Sequence, residues 1–121
     1  MKSTGHSVGR HGETVAADYL VAKGYTILAR NWRSPYGEID LIATQDRVII
    51  FVEVKTRTGK SLGPPEISIT TKKREHMRNT AEYYIQQHPE LINDWRIDVI
   101  TVQVRAGDLS PLIDHFENVI S

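Results

Sequence analysis

Two β-rich segments, residues 38–44 and 47–55, follow each other with only a polar connection at Gln45-Asp46 between them. Their closeness predicts a tight antiparallel hairpin, and a connection centred on those two residues places Asp40 opposite Phe51. Because side chains alternate between the two faces of a strand, one face of this hairpin is charged and the other is apolar. The charged face holds Glu38, Asp40, Phe51, Glu53 and Lys55, and the apolar face holds Ile39, Leu41, Val52 and Val54.

The remaining segments place helices and further strands around the hairpin. Apolar residues at helical spacing predict a first helix over residues 8–23, ended by Gly24, and a second over residues 71–88, ended by Pro89. Strands are expected at residues 25–33 and 96–104, a turn at 34–37, a loop at 58–65, and a strand or short helix at 112–120. The order α-β-β-β-α-β predicts an α/β or α+β domain with a mixed central sheet flanked by helices. Residues 1–7 are predicted as a flexible tail and residues 8–121 as a single domain.

Composition excludes several classes of protein. A chain of 121 residues has the length of one domain. The absence of cysteine excludes disulfides, zinc–thiolate sites, iron–sulfur clusters and cysteine nucleophiles. The longest apolar run, residues 48–52, is far shorter than the roughly 20 residues of a membrane span, and residues 1–10 contain no secretory apolar stretch. A cytoplasmic protein without membrane association is therefore expected.

The charges balance in total but are segregated along the chain. Equal numbers of basic and acidic residues, 15 of each, give a net charge of zero, which disfavours a protein that coats DNA through bulk positive charge. Cations nevertheless dominate residues 55–78, and acids dominate residues 79–121. This segregation permits a polyanionic partner on one face, whereas the alternative is ordinary solvated charge.

The carboxylates on the charged face of the hairpin predict a site for a divalent cation. Asp40 and Glu53 are expected as diagonal neighbours about 7–8 Å apart, a gap that a hydrated ion can bridge. Hard oxygen ligands of this kind suit Mg²⁺. Lys55 could hold an attacking water or stabilise charge that develops on a phosphate. The alternative is a solvent-facing sheet surface on which Lys55 neutralises Glu53.

Residues outside the hairpin extend this hypothesis. Glu13 shares a helix face with Leu20, so it is expected to face inward or toward a cleft, although an acid in the first turn of a helix is also favourable in itself. Cations in the first turn of the second helix are unfavourable unless a phosphate binds there. The expected phosphate-binding cations are Lys72, Lys73 and Arg74, with Arg57 and Lys60 as an extension. The histidines show no spacing typical of zinc ligands.

A resemblance to a known family rests on two strings, GEIDLIA at residues 37–43 and FVEVKTR at residues 51–57. They resemble the YraN-like family of small bacterial proteins. They are also similar to the wider restriction-endonuclease-like superfamily, whose signature is an Asp followed by Glu-x-Lys on paired strands. The archaeal Holliday-junction resolvases of that superfamily carry a Glu on the first helix, which Gly12-Glu13 resembles. Ile39 stands where the superfamily's name has proline.

The resemblance implies a restriction-endonuclease-like fold and hydrolysis of phosphodiester bonds with Mg²⁺ or Mn²⁺. The implied metal ligands are Asp40, Glu53, the Val54 backbone carbonyl and, as an accessory, Glu13; Lys55 would be the catalytic lysine. DNA, in branched or otherwise structured form, is the implied partner. A two-fold homodimer would suit cleavage of two strands of a junction.

Two functions of other classes stay open from the sequence. The chain could be a non-catalytic nucleic-acid-binding domain that retains the nuclease scaffold, although clustered carboxylates have no use in binding a polyanion. It could also be an interaction module whose acidic C-terminal part docks a protein partner. RNA is not excluded as a substrate.

Overall fold

A five-stranded mixed sheet with one helix on each face forms the core of the structure. The computed structural model describes residues 4–57, 69–91, 94–105 and 110–120. In chain order its elements are α1 (Thr4–Ala22), β1 (Thr26–Ser34), β2 (Gly37–Gln45), β3 (Val48–Arg57), α2 (Thr71–Gln87), β4 (Asp94–Gln103) and β5 (Leu112–Ile120). The predicted mixed α/β arrangement is confirmed.

The strands lie in the sheet in their chain order, β1-β2-β3-β4-β5. β3 and β4 are parallel, and every other neighbouring pair is antiparallel. A parallel neighbour requires a crossover connection, and α2 lies in the connection between β3 and β4. This crossover brings the first turn of α2 to β3, where Lys73 contacts Glu53.

Most element boundaries agree with the sequence, and the differences are local. The side chain of Thr70 accepts a hydrogen bond from the Lys73 backbone N–H and so caps α2, and Gly24 follows α1 with a φ of 94° that favours glycine. α1 begins at Thr4, so residues 4–7 of the predicted tail are helical. Residues 112–120, predicted as strand or helix, form the edge strand β5. The loop predicted at 58–65 lies outside the described residues.

Each helix covers one face of the sheet with apolar side chains. On the α1 side, Ala16 and Leu20 pack on a cluster that includes Leu41, Val52 and Val102. On the α2 side the cluster contains Ile42, Phe51, Met77, Ala81, Tyr84 and Ile97. Burial of both faces explains why β3 carries an almost unbroken apolar run. No helix in the described part of the chain is long and apolar enough to cross a membrane.

The β2–β3 hairpin turns one residue later than the sequence predicted. Its turn residues are Asp46 and Arg47, with φ angles of 52° and 68°, the conformation of the tight turns that match strand twist. Phe51 consequently pairs with Ile42, so the predicted pairing of Phe51 with Asp40 is wrong. The turn was misplaced because an arginine rarely adopts a positive φ, which leaves little trace in the sequence.

Side-chain alternation in β2 is interrupted just before the acidic residue. Leu41, Val52 and Val54 lie together on the α1 side, as predicted. Ile39, predicted on the same face, instead belongs to the cluster on the α2 side. The alternation breaks where β2 parts from β3, and Asp40 lies at that point.

Candidate functional site

Asp40 lies in a cleft that opens where β2 and β3 separate. Pairing between these strands ends at Leu41 and Val52. Beyond that point β2 stays paired with β1, and β3 stays paired with β4 as far as Arg57. The Val54 backbone N–H donates to Asp40 Oδ2 at 2.8 Å. The Asp40 side chain thus takes the place of a backbone acceptor and is fixed at the mouth of the cleft.

Negative charge accumulates around Asp40. Burial is the main cause that raises its pKa from 3.8 to about 6; the hydrogen bond from Val54 opposes the rise, and the charges of Glu53, Glu13 and Glu38 add to it. The Val54 N–H is the single hydrogen-bond donor to Asp40 within the described residues. The surroundings therefore disfavour the ionised form of Asp40, and a bound cation would relieve that cost.

α1 brings Glu13 to this cleft through a close helix–strand contact at Gly12. A Cβ on Gly12 would overlap the hydroxyl group of Thr56 on β3, so only glycine allows the helix to approach so near. Glu13, the next residue, is half-buried and contributes to the raised pKa of Asp40. The prediction that Glu13 faces a cleft agrees with this position.

α2 supplies a counter-ion to the second carboxylate. Lys73 Nζ lies 3.0 Å from Glu53 Oε1, and the Glu53 side chain is 21% exposed. The sequence predicts Lys73 as a phosphate ligand, and in the structure its ammonium group pairs with Glu53. Lys72 and Arg74, its neighbours in the first turn of α2, are exposed. Lys73 is therefore the member of the basic turn that faces the acidic cleft.

Lys55 and Arg57 continue β3 beyond Glu53. Lys55 is half-buried beside Thr101 of β4, and no described carboxylate pairs with it. The Arg57 backbone carbonyl accepts a hydrogen bond from Val104 N–H, whereas its buried Nε has no partner among the described residues. Lys60, also predicted to bind phosphate, lies outside the described residues. Two cations thus follow the acids along one strand.

The donor chemistry of the cleft fits a hard divalent cation, although the ligands do not form a finished cage. Carboxylates and a backbone carbonyl are the ligands that Mg²⁺ prefers. Among the described residues, however, no three Asp, Glu or His side chains are arranged to hold a metal ion. Glu53 would have to exchange its ion pair with Lys73 for a metal. Asp40, Glu53, Glu13 and the Val54 carbonyl are the residues that could hold the ion.

The sequence did not predict the site around a second aspartate, Asp98, which lies on β4 and contacts β5. Asp98 is fully buried and accepts hydrogen bonds from Arg96 Nε at 3.0 Å and from the Asn118 backbone N–H at 2.9 Å, and His115 Nε2 lies 2.7 Å from its Oδ2. Burial raises the pKa of Asp98, but the hydrogen bonds from His115, Arg96 and Asn118 outweigh it and leave the pKa below its usual value. The spacing of Arg96 and Asp98 places them on one face of a strand. The contact with His115 could not be predicted, because it depends on how β5 pairs with β4.

Comparison with known proteins identifies the family. The protein-family model described as "Uncharacterised protein family UPF0102" matches residues 12–102 of the sequence. The chain belongs to the UPF0102 family. A UPF0102 protein of Caldicellulosiruptor bescii is 46% identical over 98 residues, which cover 78% of this chain and 81% of the relative. A UPF0102 protein of Nocardia farcinica is 41% identical over 113 residues, which cover 93% and 88%. The predicted membership of the YraN-like, or UPF0102, family is confirmed.

A likeness to a solved structure is weaker. Pyrococcus furiosus SfsA in complex with Ca²⁺ shares 16% sequence identity with this chain at a TM-score of 0.40. The likeness covers 96% of this chain and 64% of that chain. Similarity at this level says nothing about the function of the UPF0102 protein.

Proposed function

We propose that this UPF0102 protein is a magnesium-dependent endonuclease that hydrolyses phosphodiester bonds in DNA, with structured or branched DNA as its substrate. One observation carries the proposal: Asp40 lies half-buried in a strand cleft with three carboxylates around it and one hydrogen-bond donor among the described residues. A sheet gains no stability from such a cluster, since like charges in neighbouring positions repel. A cation and a phosphate would make the cluster useful.

The residues of the cleft have separate roles in this proposal. Asp40, Glu53 and the Val54 carbonyl hold the ion, and Glu13 supports it from α1. Bound Mg²⁺ would polarise a phosphate oxygen and lower the pKa of a water enough for attack on phosphorus. Lys55, which pairs with no described carboxylate, would contact that attacking water or the phosphate in the transition state.

The cations around the cleft hold the flanking phosphates. Arg57 and the exposed Lys72 and Arg74 offer guanidinium and ammonium donors for this purpose. Lys73 is the cation nearest the acids, and it becomes available to a phosphate when Glu53 turns to a metal ion. The ion pair between Lys73 and Glu53 therefore serves as a resting state that neutralises Glu53 before metal and substrate bind.

A non-catalytic nucleic-acid-binding domain is the second candidate, and the same ion pair favours it. If Lys73 holds Glu53 permanently, the cleft loses one of its two main metal ligands. Salt-dependent DNA binding through the basic turn would then persist without cleavage. The two candidates differ in one respect: the nuclease cleaves DNA and loses cleavage when an acid of the cleft is substituted, whereas the binding domain binds DNA without cleaving it.

The experiment compares cleavage of labelled duplex, single strand, flap, fork and four-way junction in Mg²⁺ or Mn²⁺. The variants are Asp40→Asn, Glu53→Gln and Lys55→Met, with Asp18→Asn, an exposed acid on α1, as the matched control. We expect at least about a hundredfold loss of rate in the three cleft variants, the usual scale for groups that act on the reacting atoms, and no loss in the control. Retained cleavage in Asp40→Asn, or binding without cleavage in every protein, would contradict the proposal.

A further inference from the structure

We propose that a pocket between the β1–β2 turn and α2 binds an unpaired nucleobase next to the cleft. The proposal rests on the proposed function and names the form of DNA that the site selects. The pocket has a volume of about 210 Å³ and is lined by Tyr36, Asn79, Glu82, Tyr83 and Gln86. It is smaller than the roughly 300–1,000 Å³ clefts that enclose drug-sized ligands, so a single planar base is a suitable occupant.

Two tyrosine rings form the apolar part of this base pocket. The rings of Tyr36 and Tyr83 lie 5.7 Å apart at 64°, and Tyr36 is 52% exposed. Tyr83 in turn packs on Trp32, at 6.0 Å between ring centroids. The outer ring is therefore open to a ligand while the inner one is supported from behind. Stacking on such rings is how proteins hold unpaired bases, because every base has a π-face.

The turn that carries Tyr36 is held in place before any ligand binds. The Tyr36 backbone N–H donates to Ser34 Oγ at 3.1 Å, and Ser34 Oγ donates to the Gly37 carbonyl at 3.0 Å. Gly37 has a φ of 151°, and a Cβ there would lie 3.1 Å from Thr80 Oγ1 on α2. A turn fixed against the helix keeps the pocket formed at little entropic cost to binding.

The polar side chains of the base pocket suit the edge of a base rather than a phosphate. Asn79, Tyr83 and Gln86 share one face of α2, since they are spaced by four and three residues. Asn79 and Gln86 each offer an amide donor and acceptor, and neither forms a hydrogen bond to another described side chain. The Glu82 carboxylate would repel a phosphate but can accept a hydrogen bond from an exocyclic amino group.

The turn and the helix that form the base pocket each connect it to the acidic cleft. Tyr36 precedes Asp40 by four positions, about 13 Å along an extended strand. That distance corresponds to about four nucleotides of one strand at ~3.4 Å each. On α2, the helix that carries the pocket residues also carries Lys73, which pairs with Glu53. A base that leaves a duplex near a branch point would therefore reach the pocket while the same strand, about four nucleotides away, passes the cleft.

The test measures DNA affinity in EDTA, where no cleavage occurs, by fluorescence anisotropy. The DNAs are a perfect duplex, the same duplex with one unpaired adenine, and the same duplex with an abasic nucleotide in place of that adenine. The proteins are wild type, Tyr36→Ala, Tyr36→Phe and Tyr83→Ala, each checked for an unchanged circular dichroism spectrum.

We expect wild type to prefer the unpaired adenine over the abasic site by about tenfold, within the range of one base–aromatic stack. Tyr36→Ala and Tyr83→Ala should lose this preference, whereas Tyr36→Phe should keep it and duplex affinity should stay constant. Equal binding of the adenine and abasic DNAs by wild type would overturn the proposal, and so would a tyrosine variant that weakens all three DNAs alike. The first of these results would leave the pocket to another occupant, such as a cationic side chain of a protein partner.

The result separates this proposal from the proposed function. If cleavage depends on Asp40 but the adenine preference is missing, the base pocket is wrong and the nuclease proposal stands. If the preference is present but no DNA is cleaved in any metal, the nuclease proposal fails and the pocket remains a binding site.

Discussion

Two aspartates of the sheet have opposite surroundings. Asp98 is fully buried, yet Arg96, His115 and the Asn118 N–H satisfy its carboxylate and lower its pKa. Asp40 is more accessible, yet its pKa is raised to about 6, mainly because of burial. The hydrogen bond from Val54 lowers this pKa, and the charges of three nearby acids raise it further. The more buried residue is thus the one that holds its charge more easily.

The difference separates a carboxylate with several partners from one that has a single hydrogen-bond donor and no counter-ion among the described residues. The Asp98 network ties β4 to β5 and reaches α1 and the loop after it, since Arg96 also bonds to Tyr25 and His115 to Tyr19. Every partner it needs is part of the folded chain. Around Asp40 the fold brings three acids together, and within the described residues Lys73 pairs with Glu53 while no cation pairs with Asp40 itself. Under the proposed function, a bound cation would supply the balancing charge.

The largest expected change in stability comes from substitution of Asp98. Asp98→Asn removes the buried anion from between Arg96 and His115 and leaves the partly buried Arg96 with only the exposed Glu117 as a described ion-pair partner. We expect the free energy of unfolding to fall by about 3–5 kcal/mol, the usual cost of breaking a buried ion pair. Chemical denaturation at pH 7 measures it. A variant as stable as wild type would mean that the network has no structural role.

Asp40→Asn should change the free energy of unfolding in the opposite direction and stabilise the protein. A raised pKa means that the folded protein holds a proton more tightly than the unfolded chain between about pH 4 and 6, so ionised Asp40 lowers stability above that range. The cost is at most about 3 kcal/mol from the pKa change, and asparagine can still accept the Val54 N–H. We expect a gain of roughly 1–3 kcal/mol at pH 7.5 in EDTA.

The pH dependence checks the cause of that gain. As pH falls through 6 toward 4, wild-type Asp40 becomes protonated and the difference between the two proteins should shrink to near zero. Denaturation curves at pH 4.5, 6 and 7.5 would show it. A gain that is constant with pH would assign the effect to packing rather than to charge.

The smallest effect is expected from the ion pair at the mouth of the cleft. Lys73→Met leaves Glu53 without its counter-ion, but a pair with a lysine side chain 46% exposed is worth about 0–1 kcal/mol. The more specific result is a further rise in the pKa of Asp40, which carboxyl NMR titration would detect. Lys72→Met, an exposed neighbour, is the control and should leave that pKa unchanged.

The sequence predicted those features of the fold and of the Asp40 site that depend on local patterns. The acids on β2 and β3, the two helices and the position of Glu13 follow from side-chain periodicity. The register was wrong because the turn uses Arg47 at positive φ, and β5 was ambiguous because Asp114, Glu117 and Asn118 interrupt its apolar pattern.

Contacts between distant elements could not be predicted in this way. The ion pair of Lys73 with Glu53 depends on where the crossover helix returns to the sheet. The bond of His115 with Asp98 depends on the pairing of an edge strand with β4. Neither is determined by spacing along the chain, and these two contacts decide which carboxylates are satisfied.

The most direct test is a calorimetric titration of the protein with Mg²⁺ and Mn²⁺ near pH 6. Wild type, Asp40→Asn and the control Asp18→Asn would be compared in buffers of different ionisation enthalpy. Because metal ligands must be deprotonated, binding at Asp40 should release a fraction of a proton at this pH. The account predicts binding with proton release in wild type and in the control, and loss of both in Asp40→Asn. Equal binding by all three proteins, or none by wild type, would contradict it.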